Sequence, residues 1–248
     1  MRKLRAVIRF ILLLTMMLGV YGVWYVLSFF IPNKQYWRQF AFESWSRAWV
    51  RICGIDVEII GTPPTPPFFL VSNHLGYIDI PVLRSVAKGV FVAKHEIDEW
   101  TMAGKMIRNM GTIFVNREKR RDIPRAGSEV IEALSRGEGV IVFPEGTSTR
   151  GDEVIAFNSS FLEFAARTDT PVHYVSVSYR TPEGEPPPSE SVCWWDDTAF
   201  LPHMLRMMEL KRFTAVLNFG VEPVVSHDRK HLASELRQKV QQSFIPVI

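Results

Sequence analysis

Phe68-Phe69-Leu70-Val71-Ser72-Asn73-His74-Leu75-Gly76-Tyr77-Ile78-Asp79 passes from an apolar run, through a polar turn, to the edge of a second apolar segment. Phe68–Val71 contains no polar residue, which suits a strand buried on both faces. Ile80–Ala87 reads as a helix, and Asp79 falls near its first turn, where a carboxylate is favoured. A buried strand feeding a helix through a short turn is the repeating unit of a parallel sheet. His74 is therefore expected at a strand exit, where such folds gather their working residues.

Working outward, short apolar runs alternate with helical patterns. Strands are expected at Val57–Ile60, Phe68–Ser72, Val90–Ala93, Ile113–Asn116, Val140–Phe143, Val172–Ser178 and Thr214–Phe219. Helices are expected at Ile80–Ala87, Glu99–Asn109, Pro124–Ser135, Phe161–Arg167, Phe200–Glu209 and Arg229–Phe244. Pro124 at a helix start and Gly137 beyond its end follow the usual asymmetry of helix termini. The Pro-rich stretches Gly61–Pro67 and Thr181–Glu190 read as loops. The expected fold class is α/β, a single domain with a mostly parallel central sheet flanked by helices over residues 53–248. An N-terminal membrane-anchoring helical segment over residues 1–52 precedes it.

That segment opens with Phe10–Ile31, an uncharged stretch long enough, at roughly 20 residues, to cross a bilayer core. It exceeds the roughly 7–15 apolar residues of a signal peptide, and no small-residue cleavage site follows. Arg2, Lys3, Arg5 and Arg9 lie on one side, and Lys34, Arg38, Arg47 and Arg51 on the other. The positive charges thus show no asymmetry to orient a single crossing. The expectation is a re-entrant or monotopic hairpin, broken near Pro32-Asn33, entering one leaflet with the α/β domain on the cytoplasmic face. Gln35–Ile52 mixes Tyr36, Trp37, Phe40, Phe42, Trp45 and Trp49 with arginines. That mixture fits the headgroup level of a membrane, and equally an ordinary helix packed on the domain.

Composition narrows the function. The chain has 248 residues and a net charge of +3, from 29 basic against 26 acidic side chains. This excess is too small to point to nucleic acid. Cys53 and Cys193 stand far apart, without disulfide or zinc-type spacing. His95, His173, His203, His227 and His231 lack partners at ligand spacing and read as structural or surface residues. Met102, Met106 and Met110 read as core at helical spacing. No metal is expected. There is no G-x-S-x-G elbow and no Gly-rich phosphate loop of the G-x-x-x-x-G-K type.

The chemistry that His74 and Asp79 suit is acyl transfer to an alcohol. A neutral imidazole can take a hydroxyl proton, and a carboxylate fixes its tautomer and stabilises imidazolium. The same spacing also fits a surface histidine beside a helix-capping aspartate. Phe143-Pro144-Glu145-Gly146-Thr147-Ser148-Thr149-Arg150 follows another apolar run. Its glycine, hydroxyls and arginine can hold a phosphate or simply form a tight turn. Gly111-Thr112-Ile113-Phe114-Val115-Asn116-Arg117 places Arg117 just past a short strand, as a phosphate ligand or a solvated charge. The nearby Lys119, Arg120, Arg121 and Arg125 form a basic run that fits anionic lipid or a wet surface.

Together, in this order and spacing, NHLGYID, GTIFVNR and FPEGTSTR resemble the glycerolipid acyltransferase family of lysophosphatidic acid acyltransferases and related lysophospholipid acyltransferases. The resemblance spans Val71 to Val177, and more weakly the rest to Phe244. It implies His74 as general base and Asp79 as its orienting partner. It implies Arg117, Glu145, Gly146, Thr147 and Arg150 around a phosphate-bearing acceptor, with Lys94 as a further basic residue. It implies transfer of a fatty acyl group from acyl-CoA or acyl-carrier protein to lysophosphatidic acid, forming phosphatidic acid. Beyond these substrates it implies no cofactor; the bilayer is the partner. Ser148 departs from the basic residue often found in the third motif, and Phe157–Ala165 lacks the lysine and glycine often found there. The fourth motif is reduced to Thr170-Pro171-Val172. Val192–Leu205, VCWWDDTAFLPHML, resembles divergent branches that include lyso-ornithine lipid acyltransferases. These departures bear on the acceptor, leaving lyso-ornithine lipid or another lysolipid as alternatives. A catalytically inactive membrane-binding protein is the alternative of a different class.

Overall fold

The computed structural model describes residues 1–97, 101–116 and 122–248. Within them the chain begins with helices α1 (Arg2–Leu27) and α2 (Lys34–Cys53). Strands β1 (Ile55–Ile60) and β2 (Phe68–Ser72) then lead into α3 (Asp79–Val86), β3 (Gly89–Lys94), α4 (Thr101–Asn109) and β4 (Ile113–Val115). Next come α5 (Asp122–Ser135), β5 (Gly139–Val142), α6 (Glu163–Thr168) and β6 (Val172–Arg180). The chain closes with α7 (Pro188–Ser191), α8 (Phe200–Met208), β7 (Phe213–Phe219) and α9 (Arg229–Ser243). Every strand expected from the sequence is present. The short helix α7 lies inside the Pro-rich stretch that reads as loop. Pro188 occupies its first turn, where the missing N–H costs nothing.

The strands form one sheet in the order β1-β7-β6-β2-β5-β3-β4. All neighbours are parallel except β6 and β7, so the sheet is mostly parallel, as expected. The central strands β2 and β5 are buried throughout, because helices cover both faces of a parallel sheet. Burying a side chain such as Phe69 or Leu70 contributes roughly 1.5–3 kcal/mol. The parallel strands β2, β3, β4, β5 and β6 all end on one edge of the sheet. His74, Lys94, Asn116 and Glu145 therefore come to the same rim. β6 runs past the end of β2, whose last pairing is Ser72 with Val175. Its overhang is stiffened by the antiparallel β7, from Val175–Phe219 to Arg180–Thr214.

α1 and α2 form the expected hairpin, with Asn33 capping α2 by accepting from Tyr36 N–H. α1 starts eight residues before the apolar stretch, at Arg2 rather than Phe10. The reason is tertiary. Arg5 donates to Glu209 O. Arg9 donates to Leu210 O at 2.6 Å and to Lys211 O at 3.0 Å. These guanidinium groups satisfy carbonyls left open at the end of α8 and face its negative pole. Further along, Tyr21 accepts from Asn109 Nδ2 at 2.7 Å. α1 thus lies along the domain near both of its ends. Its outer face, including Ile8, Ile11, Leu12, Leu18, Val23 and Val26, is exposed. α2 divides its aromatics: Phe42 and Trp49 are buried against the domain, whereas Tyr36 and Phe40 are exposed.

Candidate active site

The segment after β2 is fastened to the rim at both ends. Asn73 uses its amide as a strand would use its backbone. Its Nδ2 donates to Val177 O at 2.9 Å, and its Oδ1 accepts from Val177 N–H at 2.7 Å. The turn then carries His74 out of the sheet and returns the chain into α3 at Asp79.

Asp79 is fully buried and surrounded by donors. Its Oδ2 accepts from Leu75 N–H at 2.7 Å and Gly76 N–H at 3.0 Å. The same oxygen lies 2.7 Å from His74 Nδ1. Its Oδ1 accepts from the Tyr179 hydroxyl at 2.6 Å. A carboxylate so placed takes Nδ1 as a donor, so the neutral ring keeps its proton there and leaves the Nε2 lone pair free. The His74 side chain is 21% exposed while Asp79 has no exposure, so the open edge of the imidazole is the one bearing Nε2. Phe143 covers one face of that ring, with centroids 4.1 Å apart and planes 17° apart.

The stretch after β5 wraps the other side of His74. Gly146 lies at φ +74°, a left-handed conformation that glycine adopts without steric cost. Its N–H closes the turn on Phe143 O at 3.0 Å. Thr149 N–H donates to His74 O at 2.9 Å. Gly151, at φ +90°, packs so tightly against the C-terminal tail that a Cβ there would come 2.2 Å from Val247 Cγ2. Glu145 is buried, and both its oxygens are engaged. Oε2 accepts from His74 N–H at 2.6 Å and Oε1 from Ile155 N–H at 3.0 Å. Burial pushes its carboxyl up to about 8, against the two N–H donors that favour the anion.

Glu145 is thus a strut between the segment after β2 and the segment after β5, a role its motif does not announce. Glu145→Gln is expected to destabilise the fold by about 1–3 kcal/mol, because an amide nitrogen would meet one of the two N–H donors. The wild-type carboxyl ionises near 4.5 when unfolded and near 8 when folded. Its contribution is therefore full below pH 4.5 and lost as pH rises through 8. The stability gap between wild type and variant should narrow over that window. Thermal unfolding of both proteins from pH 5 to 9 measures it; a gap that widens would refute this role.

Of the remaining sequence-expected residues, Lys94, Thr147 and Arg150 sit on the same rim. Lys94 ends β3 and is exposed. Thr147 and Arg150 are exposed on the segment after β5, and the Arg150 guanidinium lies 5.8 Å from the Trp195 ring centre. Arg117, with Lys119, Arg120 and Arg121, lies outside the described residues. Asp122 accepts from Asn116 N–H at 2.6 Å. Arg125 folds back onto Asp122, Glu129 and Phe114 O, so it is not a free surface cation. Its hydrogen bond, with that from Asn116, holds the Asp122 carboxyl down to about 2.

Sequence reasoning missed Asn73, Tyr179 and the Val192–Thr198 stretch as parts of this site. Trp194 N–H donates to Leu75 O at 2.8 Å, and Ser148 Oγ donates to Trp194 O at 2.5 Å. The tryptophan pair thus touches both segments that carry the motifs. His203 has the structural role expected of it. It is buried, with Nδ1 3.1 Å from the Tyr77 hydroxyl and Nε2 2.9 Å from Cys193 O. Burial holds its pKa below that of a free histidine.

Comparison with known proteins bears on this arrangement. A family model described as Acyltransferase matches residues 55–178. The chain is 31% identical over 202 residues to a lyso-ornithine lipid O-acyltransferase from Pseudomonas aeruginosa, covering 79% of this chain and 76% of that protein. It is 28% identical over 196 residues to a 1-acyl-sn-glycerol-3-phosphate acyltransferase from Neisseria gonorrhoeae, covering 77% of this chain and 76% of that protein. The crystal structure of the 1-acyl-sn-glycerophosphate (LPA) acyltransferase from Thermotoga maritima superposes with a TM-score of 0.69 at 23% identity. The match covers 98% of each chain and shows a shared fold.

Proposed function

Because the chain belongs to the acyltransferase family that includes lysolipid O-acyltransferases, we propose that it moves a fatty acyl group from acyl-CoA or acyl-carrier protein to lysophosphatidic acid, forming phosphatidic acid. The observation that carries this reading is the 2.7 Å contact between His74 Nδ1 and the buried Asp79 carboxylate. The acceptor hydroxyl attacks the thioester carbonyl as Nε2 takes its proton, and a new C–O bond forms. The tetrahedral oxyanion then collapses, the C–S bond breaks, and the imidazolium returns its proton to the departing thiolate. The thioester is already activated, so no covalent enzyme intermediate and no cofactor are needed.

Lys94, Arg117 and Arg150 supply positive charge for the acceptor headgroup, and Gly146 and Thr147 shape the segment beside it. Glu145 acts on the same site by holding His74 and Ile155. Residues 1–52 serve as the membrane-anchoring segment and residues 53–248 as the catalytic domain, which faces the cytoplasm. The exposed apolar face of α1, with contacts to the domain near both its ends, supports a helix lying in one leaflet. Labelling of a cysteine introduced at the N-terminus only from the outside would overturn that topology.

A second reading, acylation of lyso-ornithine lipid, is favoured by the 31% identity over 202 residues to the lyso-ornithine lipid O-acyltransferase from Pseudomonas aeruginosa. An acceptor panel with one labelled acyl donor, read by lipid mass spectrometry, tests both. Preferred labelling of lysophosphatidic acid supports the first reading, and labelling confined to lyso-ornithine lipid replaces it with the second. Absence of thioester consumption with every acceptor refutes both and leaves a catalytically inactive membrane-binding protein.

A further inference from the structure

We propose that Tyr179 is a positioning residue for the catalytic pair, a phenol that fixes the Asp79 carboxylate so that its other oxygen meets His74. This rests on the reading of His74 as general base. Three observations carry it. First, among the described residues the Tyr179 hydroxyl, at 2.6 Å, is the donor to Asp79 Oδ1, whereas Oδ2 is shared by Leu75 N–H, Gly76 N–H and His74 Nδ1. The carboxylate is fully buried, so water cannot replace a lost donor without entering the core. Second, Tyr179 is itself buried and rests edge-on against Phe213, with centroids 6.0 Å apart. Its ring has little freedom to follow Asp79 if the loop shifts.

Third, the strand that carries Tyr179 also carries Val177, the partner of Asn73. The segment from Asn73 to Asp79 is therefore fastened at both ends to one strand, the overhang of β6 that β7 stiffens. β6 acts as a splint that sets the distance between imidazole and carboxylate. Burial and the neighbouring Asp79 charge push the Tyr179 phenol well above its ordinary range, so it stays a neutral O–H donor wherever the enzyme works.

A donor to the carboxylate stabilises the anion and lowers the proton affinity of the pair as a whole. Tyr179→Phe keeps the ring and removes the donor. It is expected to lower kcat by roughly tenfold to hundredfold with acceptor KM within about twofold. The acid limb of the kcat/KM profile should move up by about half a unit to one unit. Site-specific 3-fluorotyrosine at position 179 keeps the shape and makes the phenol a stronger donor. It should move the same limb down, and it covers the case in which the phenylalanine variant does not fold. His74→Ala is measured in parallel. Loss of activity in His74→Ala, with unchanged kcat and acid limb in both Tyr179 variants, would overturn this inference alone. Retained activity in His74→Ala would overturn the base assignment on which it rests.

Discussion

Replacing His74 with alanine is expected to lower kcat by at least about 10²–10⁴, the scale of a lost general base, with the fold intact. The imidazole is the group in this site whose lone pair faces outward while its other nitrogen is held by a carboxylate. Without it the acceptor hydroxyl must lose its proton to water during attack. Structural cost should be small, because the fastening of the segment runs through other atoms. Asn73 holds Val177 through its side chain, and Glu145 and Thr149 hold residue 74 through its backbone. Alanine keeps that backbone N–H and C=O. Steady-state acyl transfer to a lysolipid acceptor, with circular dichroism and liposome flotation as controls, measures this. Near-normal turnover would remove His74 from the mechanism.

Asp79→Asn should be as damaging, with kcat reduced on the order of 10³–10⁴, and its cause can be told apart. The amide keeps the volume but offers one acceptor oxygen where the carboxylate offers two. Four donors converge on that carboxylate: two backbone N–H groups, the His74 ring and the Tyr179 hydroxyl. If the amide NH₂ faces His74, it forces the ring to present Nδ1 as acceptor and place its proton on Nε2. The base is then in the wrong tautomer. If it faces Tyr179, the hydroxyl can rotate and accept, but the charge that stabilises imidazolium is still gone. In either orientation the acid limb of the pH–rate profile should fall, since nothing negative remains to hold the protonated ring. The variant should also lose about 1–3 kcal/mol of stability from the buried donor conflict. Chemical denaturation and a kcat/KM profile from pH 5 to 9 separate the two effects. Wild-type kinetics in Asp79→Asn would mean that the carboxylate only braces the turn before α3.

The legible part of this protein lay in residues close together in sequence. FFLV announced a buried strand because it has no polar side chain to face water, and β2 spans Phe68–Ser72 as expected. His74 and Asp79 are close enough in the chain that one turn can join them. Legibility failed where a partner is remote. Val172–Ser178 stops short of Tyr179, because nothing local requires the strand to continue. It continues because β7 pairs with it. α1 takes in four basic residues that read as flanks, because the end of α8 supplies carbonyls for two of them.

The sequence by itself determined the order of the strands and of the helices between them other than α7, the parallel sense of most of the sheet, and a histidine with an aspartate at one strand exit. Periodicity and short spacing encode these, and both act within a few residues. The tertiary structure alone decided that a phenol 100 positions away meets Asp79. It also decided that Glu145 braces backbone and that a tryptophan pair closes on the segments after β2 and β5. Such contacts form between residues brought together by strand pairing and burial, and neither leaves a local pattern at the residues it joins.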